Sequence, residues 1–214
     1  MLDSHQFLKT GTTTIGLVCK DGVILAADKK VTLGGQIVSS KKFEKVVILN
    51  EDMAMTFAGL VSDVQLLTKL IKAQMKLDEL RRGKKLKIRE AANLLANLVY
   101  QNVRKMSMVQ GITGFLFSGR DQEGIHLYQL GVDGSLGKYD DYTADGSGMM
   151  FAIGVLEAGW RADLSVEEGA KLAIKAVSAS MERDTASGGG IDIIAITKDG
   201  AKKVFAKQLE TKLV

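Results

Sequence analysis

Proline is absent from this chain of 214 residues, cysteine and tryptophan each occur once, and histidine occurs twice. With no proline-rich, serine-rich or low-complexity stretch, nothing marks a linker between two halves. One domain after a short leader is therefore expected. The single thiol, Cys19, excludes an internal disulfide and fits a reducing intracellular setting. It lies in an apolar strand pattern, where an inert core thiol is expected. The two histidines, His5 in the leader and His126 in a strand pattern, belong to no cluster at metal-ligand spacing, so a structural zinc site has no support. No apolar run approaches the length of a membrane span, and residues 1–11 are too polar for a secretory signal. The expectation is a soluble, cytoplasmic protein with no membrane partner.

A large charge excess is missing too. Lysine and arginine number 29 against 25 acidic residues, a net charge of +4. The densest basic run spans residues 81–89, with Arg81, Arg82, Lys84, Lys85, Lys87 and Arg89 and no interleaved aromatic. Such a run suits a solvated loop or a contact with an acidic partner better than a nucleic-acid surface. What the chain does have is apolar material: 46% of its residues are hydrophobic, ample for a core.

Near the start, Gly11 directly precedes Thr12-Thr13-Thr14. Hydrolysis between Gly11 and Thr12 would leave threonine as the first residue. A terminal threonine holds a nucleophilic hydroxyl and an α-amine whose reference pKa, about 7.7–8.0, suits a base at neutral pH. A polar β-branched run also simply starts an edge strand. The rest of the chain decides between these readings.

Strand patterns cover residues 14–19 and 23–28, joined by a turn at Lys20-Asp21-Gly22, then 46–49 and 53–59 across a turn at 50–52. The continuous apolar run 23–27 predicts a strand buried on both faces. Two helices follow. The first has a capping box at Ser62 and Gln65 and an apolar face of Val64, Leu67, Leu70, Ile71 and Met75, stopping near Gly83. The second carries Ile88, Ala91, Ala92, Leu95, Val99, Val103 and Met106. Strands return at 114–118, 125–130 and 136–142. A second helical pair follows Gly148, its better-defined member opening on a capping box at Ser165 and Glu168 and burying Val166, Ala170, Ala173, Val177 and Met181. Strands at 191–197 and 203–206 close the chain. This order predicts an α+β fold, a four-layer αββα sandwich of two antiparallel sheets, each covered outside by a helix pair.

Six blocks now occur in order: Gly11-Thr12-Thr13-Thr14, Val23-Ile24-Leu25-Ala26-Ala27-Asp28, Ala58-Gly59, Gly146-Ser147-Gly148, Gly154-Val155-Leu156-Glu157 and Arg183-Asp184-Thr185-Ala186-Ser187-Gly188-Gly189. With them the chain resembles archaeal-type proteasome β subunits, members of the N-terminal-nucleophile hydrolases, from Gly11 to about Ala206. Met149 departs from the small polar residue that many relatives carry after Gly148.

The resemblance implies a threonine endopeptidase that needs no metal or organic cofactor. Residues 1–11 would be a propeptide removed by autocleavage between Gly11 and Thr12, and residues 12–214 the mature domain. Thr12 would be the nucleophile. Asp28 ends an apolar strand, where an unpaired charge is costly, so it calls for a partner. Lys45 is chosen because the family lysine directly precedes a strand such as 46–49, although Lys41 and Lys42 compete for the register. Gly59 would supply the oxyanion-hole N–H, and Ser147, Asp184 and Ser187 the polar set around the terminal amine. Val31, Phe43, Val47, Phe57 and Val61 would line the pocket for the side chain before the cut bond. All are apolar, which predicts cleavage after hydrophobic residues. Implied partners are proteasome α subunits and other β subunits in stacked heptameric rings, α7β7β7α7, with unfolded polypeptides as substrate and a regulatory ATPase acting indirectly.

Overall fold

Two-residue alternation and helical spacing each produce the element they predict over most of the chain. The computed structural model describes residues 11–33 and 37–209; most of the leader, with His5, lies outside them. In chain order the strands are β1 (Thr14–Cys19), β2 (Gly22–Asp28), β3 (Val31–Leu33), β4 (Ile37–Ser40), β5 (Val46–Asn50) and β6 (Met53–Gly59). Helices α1 (Val61–Arg82) and α2 (Ile88–Arg104) follow, then β7 (Thr113–Asp121), β8 (Gly124–Leu130), β9 (Leu136–Tyr139) and β10 (Tyr142–Asp145). Helices α3 (Met149–Gly159) and α4 (Val166–Arg183) precede β11 (Gly190–Thr197) and β12 (Gly200–Gln208).

One five-stranded sheet runs β10-β1-β2-β11-β12 and the other β5-β6-β7-β8-β9, with every neighbouring pair antiparallel. Strand β2 shows how the layers form. Ile24 and Ala26 point to the α3/α4 side, among Ile15, Leu17, Ala173, Val177 and Ile193. Val23, Leu25 and Ala27 point the other way, into the space between the sheets with Leu116, Leu127, Ile194 and Ile196. Period-two alternation thus places apolar groups in two separate cores, which is why the strand reads as continuously apolar. The second sheet packs Met55, Phe57, Phe115 and Phe117 against Leu67, Ile71, Ala92 and Leu95 of α1 and α2. Each fully buried Leu, Ile or Phe contributes about 1.5–3 kcal/mol. The result is the αββα sandwich.

Four local expectations are corrected. Residues 136–142 are two strands: β9 stays in the second sheet, and the chain crosses at Asp140-Asp141 so that β10 pairs with β1 in the first. Helix α1 starts two residues early, with Leu60 as its N-cap and no side-chain cap, while Ser62 Oγ donates to neighbouring Asp63. Leu70 is 42% exposed rather than core. Met106 falls past the end of α2, where Lys105 is already extended, and is fully exposed. The Ser165–Glu168 capping box forms as read, with Ser165 Oγ accepting from Glu168 N at 3.3 Å. Between β2 and β5, the hairpin β3–β4 occupies what the sequence shows only as a polar stretch.

The basic run is tied to the protein's own acidic side chains. Lys85 pairs with Glu51 and Asp52, Lys87 with Glu123, and Arg82 with Glu90. Cys19 is buried, and burial, with Asp21 and Glu168 adding to it, pushes its thiol up to about 12.

Candidate active site

Thr12 sits at the mouth of the sandwich because β1, which begins two residues later, is held between β10 and β2: Thr14 pairs with Asp145 on one side and Ala27 on the other. Gly11 is packed so closely that a Cβ there would lie 1.7 Å from Ala186 Cβ. No larger residue fits before Thr12 in this conformation. Thr12 itself is 4% exposed, and its Oγ1 donates to the Gly11 carbonyl at 2.7 Å.

Asp28 ends β2 fully buried, and its carboxylate is saturated with donors. Oδ1 accepts from Thr13 N at 2.9 Å and from Lys45 Nζ at 2.8 Å. Oδ2 accepts from Lys30 N at 2.9 Å and Gly188 N at 3.0 Å. The cost of burying the charge is met by one ion pair and three backbone amides. Of the three candidate lysines Lys45 is the one that meets Asp28: it is 2% exposed just before β5, whereas Lys41 and Lys42 are exposed in the preceding bend. Lys45 Nζ also reaches the Gly11 carbonyl at 3.2 Å. Burial lowers the Lys45 ammonium below its ordinary value, opposed by the Asp28 carboxylate beside it.

The nitrogen of Thr12 meets a second polar chain. Thr12 N donates to Ser147 Oγ at 3.2 Å, and Ser147 Oγ donates to Asp184 Oδ2 at 2.5 Å. Ser187 Oγ donates to the same carboxylate oxygen at 2.6 Å and lies 2.7 Å from Thr13 Oγ1. Ser147 comes from the turn before α3, and Asp184 caps the C-terminus of α4, so the two helices of one layer converge on one amide. Gly59 closes β6 at φ +126°, a backbone shape open to glycine, with Ile112 O only 2.2 Å from where a Cβ would sit.

A small cleft at this point is bordered by Gly11, Thr12, Val31, Phe43, Lys45, Phe57, Gly59 and Val61. Four of the five expected pocket residues are among them. Val47 is not among the bordering residues: its half-buried side chain packs on the α1/α2 core with Phe43 and Leu49. Three contributors escaped sequence reasoning: Thr13, Thr32, whose Oγ1 accepts from Gly11 N at 3.4 Å, and the amide of Gly188. Thr13 and Gly188 lie inside blocks quoted above without a role of their own, and nothing local marks Thr32.

A larger groove of about 690 Å³ lies among Lys84, Lys87, Arg120, Glu123 and Lys198, and none of the residues above borders it. Among the described residues one group has metal-ligand spacing: Asp121, Glu123 and His126. Its members are already engaged. Asp121 caps Ile88 N and meets His126 Nε2 at 3.0 Å, and Glu123 pairs with Lys87.

Known proteins share this sequence closely. The profile of the family described as "Proteasome subunit" matches residues 8–196. A proteasome subunit beta of Methanocaldococcus jannaschii is 42% identical over 201 residues, covering 94% of this chain and 88% of its own. One from Archaeoglobus profundus is 41% identical over 94% of this chain and 91% of its own. A proteasome subunit beta 1 of Thermococcus onnurineus is 36% identical over 95% and 97%. With a sandwich of the proteasome type and this extent of identity to archaeal β subunits, the chain belongs to the proteasome subunit family.

Proposed function

We propose that this core-particle β subunit is a threonine endopeptidase whose nucleophile is Thr12 Oγ. The observation carrying the reading is the meeting of two groups at one carbonyl, Thr12 Oγ1 at 2.7 Å and Lys45 Nζ at 3.2 Å from Gly11 O, with Lys45 held by Asp28 at 2.8 Å. In the precursor Thr12 N is an amide and cannot serve as base. Thr12 Oγ attacks the Gly11 carbonyl carbon while a water, or Lys45 in its neutral form, takes the proton. The N–C bond then breaks, the freed nitrogen becomes the α-amine, and water hydrolyses the ester that remains. Residues 1–11 leave as the propeptide and 12–214 remain.

After maturation the α-amine, beside Ser147 Oγ, takes the hydroxyl proton through a water. The Lys45 charge favours the alkoxide and depresses the amine pKa. Gly59 N–H donates to the tetrahedral oxygen, and the acyl-enzyme ester is hydrolysed. Val31, Phe43, Phe57 and Val61 offer no charge to a substrate side chain, which supports cleavage after hydrophobic residues. The family supports assembly with α subunits and other β subunits, for which we propose stacked heptameric rings, α7β7β7α7, degrading unfolded polypeptides delivered by a regulatory ATPase in the cytoplasm.

A catalytically silent ring subunit is the rival reading, and the intact Thr12, Asp28 and Lys45 set speaks against it. Intact mass of the protein assembled with α partners decides. The mature species should begin at Thr12 and cleave a peptide with a hydrophobic residue before the reporter. Retained leader in fully assembled particles, with no peptide cleavage, would support the silent subunit.

A further inference from the structure

Asp145, the last residue of β10, has no part in the mechanism above, yet it stands two residues before Ser147. Alternation along β10 sends Ala144 into the α3/α4 core and Asp145 to the opposite face, between the sheets. There the second sheet leaves a notch for it. At Gly114 of β7 a Cβ would fall 2.4 Å from Asp145 Oδ2, so the carboxyl occupies the space a side chain would take. Asp145 Oδ1 accepts from Gly146 N at 2.8 Å. Among the described residues it has no cationic partner. Burial pushes its carboxyl above the ordinary aspartate value, and the Gly146 amide opposes that.

The group that Asp145 holds is in contact with Thr12. Gly146 takes φ +93°, and a Cβ on it would lie 2.1 Å from Thr12 O. One residue on is Ser147, the acceptor of Thr12 N, and then Gly148, whose N donates to Thr12 O at 3.3 Å. The turn therefore fixes both backbone polar groups of Thr12, and its first amide is anchored by Asp145.

We propose that Asp145, seated in the Gly114 notch, is a positioning residue that sets the Gly146-Ser147-Gly148 turn against Thr12. The inference rests on Thr12 being the nucleophile, and its test is built to fail separately from that reading. In assembled particles, Asp145→Ala should lower kcat for a hydrophobic peptide about tenfold, the worth of one anchored hydrogen bond, with KM changed by less than about twofold. Asp145→Asn keeps the acceptor oxygen and should restore kcat to within about twofold of wild type. Gly114→Ala should slow the enzyme by a similar factor, and should add nothing in the Asp145→Ala background, since the two act through one contact.

Wild-type kcat in Asp145→Ala overturns the inference. So does an Asp145→Asn enzyme as slow as Asp145→Ala, or a second full loss from Gly114→Ala in the double variant. If Asp145→Ala fails to assemble, Asp145→Asn and Gly114→Ala are read alone, the first fast and the second slow, with the reverse order overturning it. Amide hydrogen exchange at residues 146–148 needs no activity: it should quicken in Asp145→Ala, and unchanged exchange also defeats the inference. A wild-type particle that neither sheds its leader nor cleaves peptide defeats the proposed function instead.

Discussion

Lys45 and Asp28 are each nearly inaccessible to water, and their different numbers of partners set different consequences for removing them. Asp28→Ala leaves a buried lysine charge and three unpaired amides, so a loss of about 3–5 kcal/mol of stability is expected in urea titrations. Lys45→Met leaves Asp28 with its three backbone donors. It should be the milder change in stability, yet lower peptide hydrolysis by a factor of about 10²–10³. The pH dependence has a definite sign. Lys45 is depressed below 10.5, so between its folded value and 10.5 the unfolded chain binds more protons and stability rises with pH. Subtracting the Lys45→Met curve from that of the wild type should isolate this rise; a flat difference through that window would contradict it. The sequence pointed to Asp28 because an acid at the end of an apolar strand needs a partner. For the lysine it favoured Lys45 only through the strand that follows it, whereas in the structure burial and the Asp28 contact separate Lys45 from exposed Lys41 and Lys42. The contacts of Thr13 with Asp28 and Ser187 span 15 and 174 residues of chain, a separation no local pattern records.

Elements follow the same division between local and distant causes. The Ser165 cap is local: a side chain and an amide three residues apart, both inside one turn. Ser165→Ala should cost about 1 kcal/mol, whereas Ser62→Ala should be neutral to within about 0.5 kcal/mol because Ser62 is already past the N-cap. Thermal unfolding of the two variants under one condition checks the contrast, and equal losses would contradict the cap assignment. Periodicity made β1, β2, β6, α2 and α4 readable from the sequence, since each buries one face or alternates between two cores. It failed where tertiary pairing decides. Residues 136–142 look like one strand, and only the competition between β8 and β1 for partners splits them at Asp140-Asp141. The β3–β4 hairpin, mostly exposed along β4, has only the short apolar segments Val31-Thr32-Leu33 and Ile37-Val38, too brief to set a period.

At the scale of the molecule, the four layers were legible because strand and helix patterns arrive in blocks and each block has one apolar side to cover. The surface left over is less evenly polar. On α3, Met150 is 70% exposed and Phe151 42%, in a helix that buries only Ala152 and Leu156. An exposed apolar face of this kind suits contacts with other subunits of the particle. Met150→Glu with Phe151→Glu should reduce the assembled fraction in size-exclusion chromatography while leaving thermal unfolding of the isolated chain unchanged. Unaltered assembly would contradict the role given to that face. Assembly in turn matters for the chemistry, because the proposed activity is that of the particle.

Peptide hydrolysis by correctly assembled particles carrying Thr12→Ala bears on the central claim most directly. In the proposed chemistry both leader removal and substrate cleavage depend on the hydroxyl at position 12, so hydrolysis should drop to background and the mass should show residues 1–11 still attached. Full peptide hydrolysis with alanine at position 12 would contradict the account.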